Sequence, residues 1–310
     1  MKNKFTSSDL LLLITTMIWG WTFIIVKWTV ASIDPYFFIF SRFFLALFIL
    51  AVLFHAKLKK NWLPCLKPGI FLGIILGLAF IFQTIGLKYT TASASGFITG
   101  LSVILVTVFA SVFLKKMPDK YVFAGIISAT IGLFAITFKG SLSFQLGDLL
   151  TLICAILFAV HVVLTERFAK NRSASALTLV QFMTVTLLAG VSFLFLGKKP
   201  LHLSAFSFWH WSSIMYCGIL ATAVAYFFQT KAQQKVPPFR TAILLATEPL
   251  FAGIFAISVR FDPFDWRVVI GGLLIFAGMI LASWENKNEQ ILPLPEIIAQ
   301  AENSSETGRS

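Results

Sequence analysis

A run of about 18 or more apolar residues with few charges is long enough to cross a bilayer as a helix, and such runs take up most of this chain. They lie at 10–30, 36–55, 69–87, 92–114, 121–138, 147–165, 176–196, 210–230, 239–259 and 267–284. Too little sequence remains between them for a water-soluble domain. Composition agrees: soluble domains are roughly 25% charged, whereas these 310 residues are 12% charged and 58% hydrophobic, with 34 Phe. The mean hydropathy is +0.87. A soluble fold this apolar would expose large hydrophobic patches. Lipid is therefore the expected solvent, and the expected fold is an all-α integral membrane protein of ten transmembrane helices.

The formal net charge of +12 raises nucleic acid as a partner, but the Lys and Arg residues stand in short groups between apolar runs and form no basic face of the kind that nucleic-acid binding uses. They read instead as topology, because cytoplasmic loops accumulate Lys and Arg. With the N-terminus in the cytoplasm, the inner loops and ends hold 17 basic residues and the outer loops 6, namely Lys88, Lys139, Lys198, Lys199, Arg260 and Arg267. An even number of helices then puts both termini on the cytoplasmic side, in a bacterial inner (plasma) membrane. Lys2 and Lys4 ahead of the apolar Leu10–Ile18 resemble the start of a secretion signal, yet the run continues through Val26 without a cleavage motif, so a retained first helix is expected. Cys65, Cys154 and Cys217 form no CxxC and are odd in number. They are read as apolar residues and not as a disulfide framework or a metal site, and no cofactor is expected. Residues 1–9 form a short cytoplasmic N-terminus. Residues 285–310 carry five acids and two bases among Asn, Ser and Pro; such a segment cannot bury a core and is expected to be a disordered cytoplasmic tail.

Sliding the chain against itself shows an internal repeat. At an offset of 146, Phe82-Gln83-Thr84 falls on Phe228-Gln229-Thr230, Asp119 on Asp265, Gly125 on Gly271 and Gly132 on Gly278. At an offset of 139, Asp9-Leu10-Leu11 falls on Asp148-Leu149-Leu150 and Phe43 on Phe182. The unit is five helices, residues 10–138 and 147–284. Because five is odd, the halves lie in opposite orientations, the inverted arrangement that lets a central site face either side in turn. Gly69, Gly73 and Gly77 step at fours and Gly125 and Gly132 at seven, spacings that let membrane helices approach closely.

Ionisable side chains inside a membrane helix are costly and usually face a cavity or a partner. Arg42 lies about two turns into the second run, Glu248 near the middle of the ninth beside Pro249, and His161 in the inner half of the sixth. Glu248 is read either as a cavity carboxylate that binds an amine or carries a proton, or as a structural partner of Arg42 or of a backbone carbonyl freed by Pro249, which removes one intrahelical hydrogen bond and kinks the helix. Among uncharged polar residues, Gln83 and Gln229 are repeat mates, and Gln181 is the mate of Arg42. Trp19 and Tyr226 are placed to line the same cavity. The candidate substrate-binding set is therefore Trp19, Arg42, Gln83, His161, Gln181, Tyr226, Gln229 and Glu248.

Trp19-Gly20-Trp21-Thr22-Phe23 with Lys27, Arg42-Phe43, the stretch from Gly86 to Gly100, and Glu248-Pro249-Leu250-Phe251-Ala252 together resemble the EamA branch of the drug/metabolite transporter superfamily. Thr107, where many relatives have proline, and Lys115-Lys116, where an acid is common, depart from its pattern. The resemblance implies a ten-helix bundle and an alternating-access carrier of small metabolites, often an exporter of amino acids or related solutes. A membrane enzyme is the rival class, but the chain has no HExxH or phosphate-binding GxxxxGK[ST] motif and no GxSxG elbow. A proton-independent uniporter and an uptake permease remain alternatives. The implied partners are a small-molecule substrate, the lipid bilayer and, where transport is coupled, protons; oligomeric state is not legible.

Overall fold

The computed structural model describes residues 5–90, 92–114, 118–137, 145–197, 206–258 and 265–283. The expected tail at 285–310 lies outside them, as do residues 1–4. Every described element is helical. The helices are α1 (Ser7–Gly20), α2 (Thr22–Ser32), α3 (Pro35–Asn61), α4 (Leu63–Tyr89), α5 (Ala92–Gly100), α6 (Ser102–Leu114) and α7 (Lys120–Thr137). They continue with α8 (Leu146–Ala169), α9 (Ala174–Leu196), α10 (Phe208–Met215), a π-helical segment (Tyr216–Val224), α11 (Ala225–Gln233), α12 (Pro238–Leu245), α13 (Glu248–Ser258) and α14 (Trp266–Ser283). Each expected run is helical over most of its described length. Six segments of the described chain are long and apolar enough to span a bilayer: Ser7–Ser32, Pro35–His55, Leu63–Tyr89, Leu146–Ala169, Ala174–Leu196 and Phe208–Gln233. Shorter apolar helices occupy Ile98–Phe113, Lys120–Ala135 and Trp266–Ala282.

Several helices outrun the expected spans, α4 beginning at Leu63 and α8 reaching Ala169. Helix α3 runs on to Asn61, so Lys57, Lys59 and Lys60 ride on a helical extension and not in a loop. Lys88 lies in the last turn of α4, where a cation favours the helix C-terminus.

Helix starts follow local chemistry. Thr6 caps α1, its Oγ1 accepting from Asp9 N at 3.3 Å while Asp9 Oδ2 accepts from Thr6 N at 2.7 Å, a reciprocal pairing that satisfies two otherwise unpaired donors. Asp34 precedes Pro35 and accepts from Tyr36 N at 2.9 Å. Pro35 fits the first helical position because it has no N–H to satisfy.

The glycines act as packing contacts. A Cβ on Gly69 would lie 2.6 Å from Val180 Cβ and one on Gly73 2.6 Å from Thr184 Cβ, so α4 and α9 touch where a larger residue has no room. In the same way α7 and α14 meet backbone to backbone, with a Cβ on Gly125 reaching 2.6 Å from the Gly278 carbonyl. Phe43 fills the centre of another core, edge-on to Phe80 at 4.9 Å and to Phe182 at 5.4 Å.

Four of the apolar runs are interrupted part-way along. The first breaks at Trp21, between α1 and α2, and the fourth at Leu101, between α5 and α6. The eighth is π-helical over Tyr216–Val224, and the ninth breaks at Ala246-Thr247 just before Pro249. Leu101 and Thr247 differ by the same 146 residues that relate the repeats, so these two breaks are equivalent in the sequence.

Gly132→Val places methyl groups against the Gly271 carbonyl and Ile275. Overpacking of this kind costs about 1–3 kcal/mol and is expected to lower the melting temperature in detergent. Gly96 has nothing within 4 Å of its would-be Cβ, so Gly96→Ala is expected to leave stability unchanged or to raise it by up to about 1 kcal/mol. A melting temperature for Gly132→Val equal to the parent's contradicts the close packing.

Candidate functional site

The interruptions gather around one cavity of about 90 Å³, a space for a small solute or several waters. Trp19 and Thr22 flank the break in the first span. Gly100 and Ser102 flank that in the fourth, and Ala246, Glu248 and Pro249 form that in the ninth; all seven line the cavity. The π-helical segment ends two residues before Tyr226, which stands in the same wall with Gln229 of α11. Phe80, Gln83 and Thr84 of α4 and Phe158 and His161 of α8 complete much of the lining. Seven of the eight sequence candidates are therefore brought together: Trp19, Arg42, Gln83, His161, Tyr226, Gln229 and Glu248.

Gln181 is the exception, since it stands behind the wall. Its Nε2 donates to Leu177 O at 3.3 Å, and its Oε1 lies 2.8 Å from His161 Nε2. With the amide nitrogen engaged, the oxygen accepts, so His161 donates from Nε2 and keeps Nδ1 as an acceptor. Gln181 thus orients His161 and does not reach the cavity.

Arg42 is 3% exposed and forms no ion pair among the described residues. Its Nε donates to Thr222 Oγ1 at 3.0 Å, and Thr222 Oγ1 donates to Cys217 O at 2.6 Å. The acceptor carbonyl is five residues back, which is the π-helical spacing. The guanidinium carbon lies 4.7 Å from the Phe80 ring centroid and 5.7 Å from that of Phe43, faces that attract a cation. A neutral hydroxyl and three rings, the third being Phe38 at 5.9 Å, surround the charge without cancelling it. Glu248 likewise forms no ion pair among the described residues. The reading of Glu248 as the structural partner of Arg42 is therefore not realised: both side chains border the cavity, and they form no ion pair with each other.

The remaining wall is arranged by fixed contacts. Trp19 Nε1 donates to Ala221 O at 2.8 Å within the π-helical segment, and its ring packs 5.1 Å from that of Tyr226. Gln229 Oε1 and Thr99 Oγ1 are buried and have no hydrogen-bond partner among the described residues. Buried polar atoms are normally satisfied, and both of these residues line the cavity.

Thr222 escaped the sequence reading, since a threonine in an apolar helix carries no distinguishing mark. Thr99 had a usable signal: it is two residues before Leu101, the repeat mate of Thr247, and so next to a break that Pro249 announces in the other half.

Comparison with known proteins sets the chain beside transporters. A family model described as "EamA-like transporter family" matches residues 6–138 and 145–284. An uncharacterized transporter of Archaeoglobus fulgidus is 29% identical over 280 residues, covering 89% of this chain and 85% of its own length. The uncharacterized transporter YyaM of Bacillus subtilis is 27% identical over 281 residues, with 85% and 89% covered. One solved crystal structure superposes with a TM-score of 0.75 at 17% identity, covering 89% of this chain and 96% of that one, a likeness of fold.

Removing the Thr222 hydroxyl leaves Arg42 Nε without its acceptor. Thr222→Val is expected to destabilise the protein in detergent by about 1–3 kcal/mol, the range for stranding a buried donor, whereas Thr222→Ser keeps the acceptor and is expected to lie within about 1 kcal/mol of the parent. Equal melting temperatures for the Val and Ser variants contradict the assignment.

Proposed function

The chain belongs to the EamA-like transporter family, and on that premise we propose that it is a secondary carrier that exports a small metabolite, such as an amino acid or related solute, by alternating access. The observation that carries this reading is the presence of Arg42 and Glu248 on one cavity wall without an ion pair between them. A solute bearing both an anionic and a cationic group supplies each with a partner, and the half-helix ends around it are the usual surroundings of a carrier's binding site. Trp19 and Tyr226 give it an aromatic side; Gln83, Gln229 and Thr99 give it hydrogen-bonding positions; His161, held by Gln181, offers an acceptor.

The topology proposed with this function has both termini in the cytoplasm of a bacterial plasma membrane, with repeats at 10–138 and 147–284 in opposite orientations. Glu248 is proposed to exchange a proton during the cycle, which couples export to the proton gradient.

Comparing metabolites excreted by cells with and without the gene identifies the solute. Reconstituted in proteoliposomes, Glu248→Gln and Gln229→Ala are each expected to slow its transport at least tenfold, since losing a hydrogen bond that involves a charged group costs about 1.5–3 kcal/mol. Wild-type rates in both variants overturn the site. An imposed pH gradient is expected to accelerate transport by the parent and not by Glu248→Gln; a parent indifferent to the gradient overturns the proton coupling and leaves a uniporter.

A further inference from the structure

Asp9 and Asp148 are sequence mates at the offset of 139, and each holds two places in the structure at once. Each is the third residue of its helix and accepts a hydrogen bond from the residue that precedes the helix: Asp9 Oδ2 from Thr6 N at 2.7 Å, and Asp148 Oδ2 from Gln145 N at 2.8 Å. Each carboxylate also reaches across to another span. Asp9 Oδ2 takes Arg240 Nη2 at 2.8 Å, linking α1 to α12. Asp148 Oδ1 takes Thr90 Oγ1 at 2.5 Å, linking α8 to the end of α4.

The two cross-links lie at opposite ends of the fold. Gln234, just past α11, donates to Ala169 O and Arg172 O at the end of α8. The same end holds Ala232 and Val236, packed with Leu12 and Leu244, next to Asp9 and Arg240. Asp148 is at the other end of α8, about 30 Å away at 1.5 Å per residue.

The ends are closed unequally. Between the cavity and Asp9 stand the apolar plug of Leu12, Val236 and Leu244 and the Thr16 to Thr247 hydroxyl contact at 2.9 Å, with the ion pair beyond. Asp9 is 1% exposed at its side chain and Arg240 16%, so solvent screens this pair less than a surface one. Toward Asp148 the cavity is lined by Gln83, Thr84 and Leu87 in the last turns of α4. Polar contacts there among the described residues include Lys27 Nζ donating to Thr90 O at 2.9 Å and Thr90 donating to Asp148.

We propose that Asp9–Arg240 and Thr90–Asp148 are the matched latches of two gates, and that the direct ion pair on Asp9, against the hydroxyl contact on Asp148, biases the resting protein toward closure at the Asp9 end. The inference rests on the carrier reading. It assigns the bias to this chain's own residues: an equilibrium between two closures shifts only by the difference in free energy between them, and here Asp9 meets a cation directly whereas its repeat mate Asp148 meets a hydroxyl, with the Lys27 cation on the carbonyl of the same threonine.

The test needs no substrate. Gln83→Cys puts a reporter thiol in the cavity wall, and the native cysteines, all three buried, serve as the blank. A membrane-impermeant maleimide is applied to each face of oriented vesicles. The reporter is expected to react from the Asp148 face. Asp9→Asn, which keeps a capping oxygen, and Arg240→Met are each expected to raise the rate from the Asp9 face about fivefold or more, the lower range of conformational couplings. Arg240→Lys is expected to restore the parent's pattern, and Asp148→Asn to raise the rate from the Asp148 face. Gain of labelling at one face cannot come from an unfolded variant if the blank stays unlabelled. A reporter that reacts, but with rates that Asp9→Asn and Arg240→Met leave unchanged, overturns the latch and leaves the carrier intact. A reporter inert from both faces in every variant overturns the carrier reading and the latch together.

Discussion

Inside a bilayer no water stands by to satisfy a backbone N–H or C=O, so an interrupted helix is tolerated only where protein or a hydrated cavity takes up the freed groups. This constraint organises the whole structure. The breaks at Trp21, Leu101 and Ala246-Thr247 are flanked by residues of one cavity wall, and the π-helical turn at Tyr216–Val224 runs up to the same wall at Tyr226. Backbone carbonyls around these irregular turns find side-chain donors: Ala221 O takes the Trp19 indole, Ile18 O takes the Tyr216 hydroxyl at 2.7 Å, and Cys217 O takes Thr222. Irregular backbone is thus gathered around one cavity together with several of the buried polar side chains.

The same economy governs charge. Arg42 sits where lipid would be prohibitive, yet it receives a hydroxyl and aromatic faces in place of a carboxylate. Glu248 stands on the wall of the same cavity but out of an ion pair, and glycine contacts between α4 and α9 and between α7 and α14 draw the surrounding helices close.

Much of this was legible in the residues. The apolar runs located the helices, the glycine steps located two packing seams, and the scarcity of polar residues helped single out seven residues of the cavity wall, because a membrane chain retains so few of them. Pro249 announced the break in the ninth span, since a residue without N–H cannot continue the ladder. Other features had no local mark. Nothing in Trp19-Gly20-Trp21 announces an interruption: it becomes visible only when Gly20 is seen against Phe251 and Ala252, with its would-be Cβ 2.9 Å from Ala252 N. Gln181 misled because repeat symmetry equates positions and not roles: its mate Arg42 faces the cavity, whereas Gln181 turns to His161.

The sequence alone determined that this chain is a membrane-embedded helical protein and which few polar groups are its candidates for function, because apolar run length and the cost of charge in lipid are properties of local stretches. Only the tertiary structure decided which of those groups share a cavity, that Arg42 and Glu248 form no ion pair with each other, and that Asp9 meets Arg240 while its mate Asp148 meets Thr90. Those pairings join residues 231 and 58 positions apart. They depend on how helices cross in space, a collective outcome of packing that no short window of residues encodes.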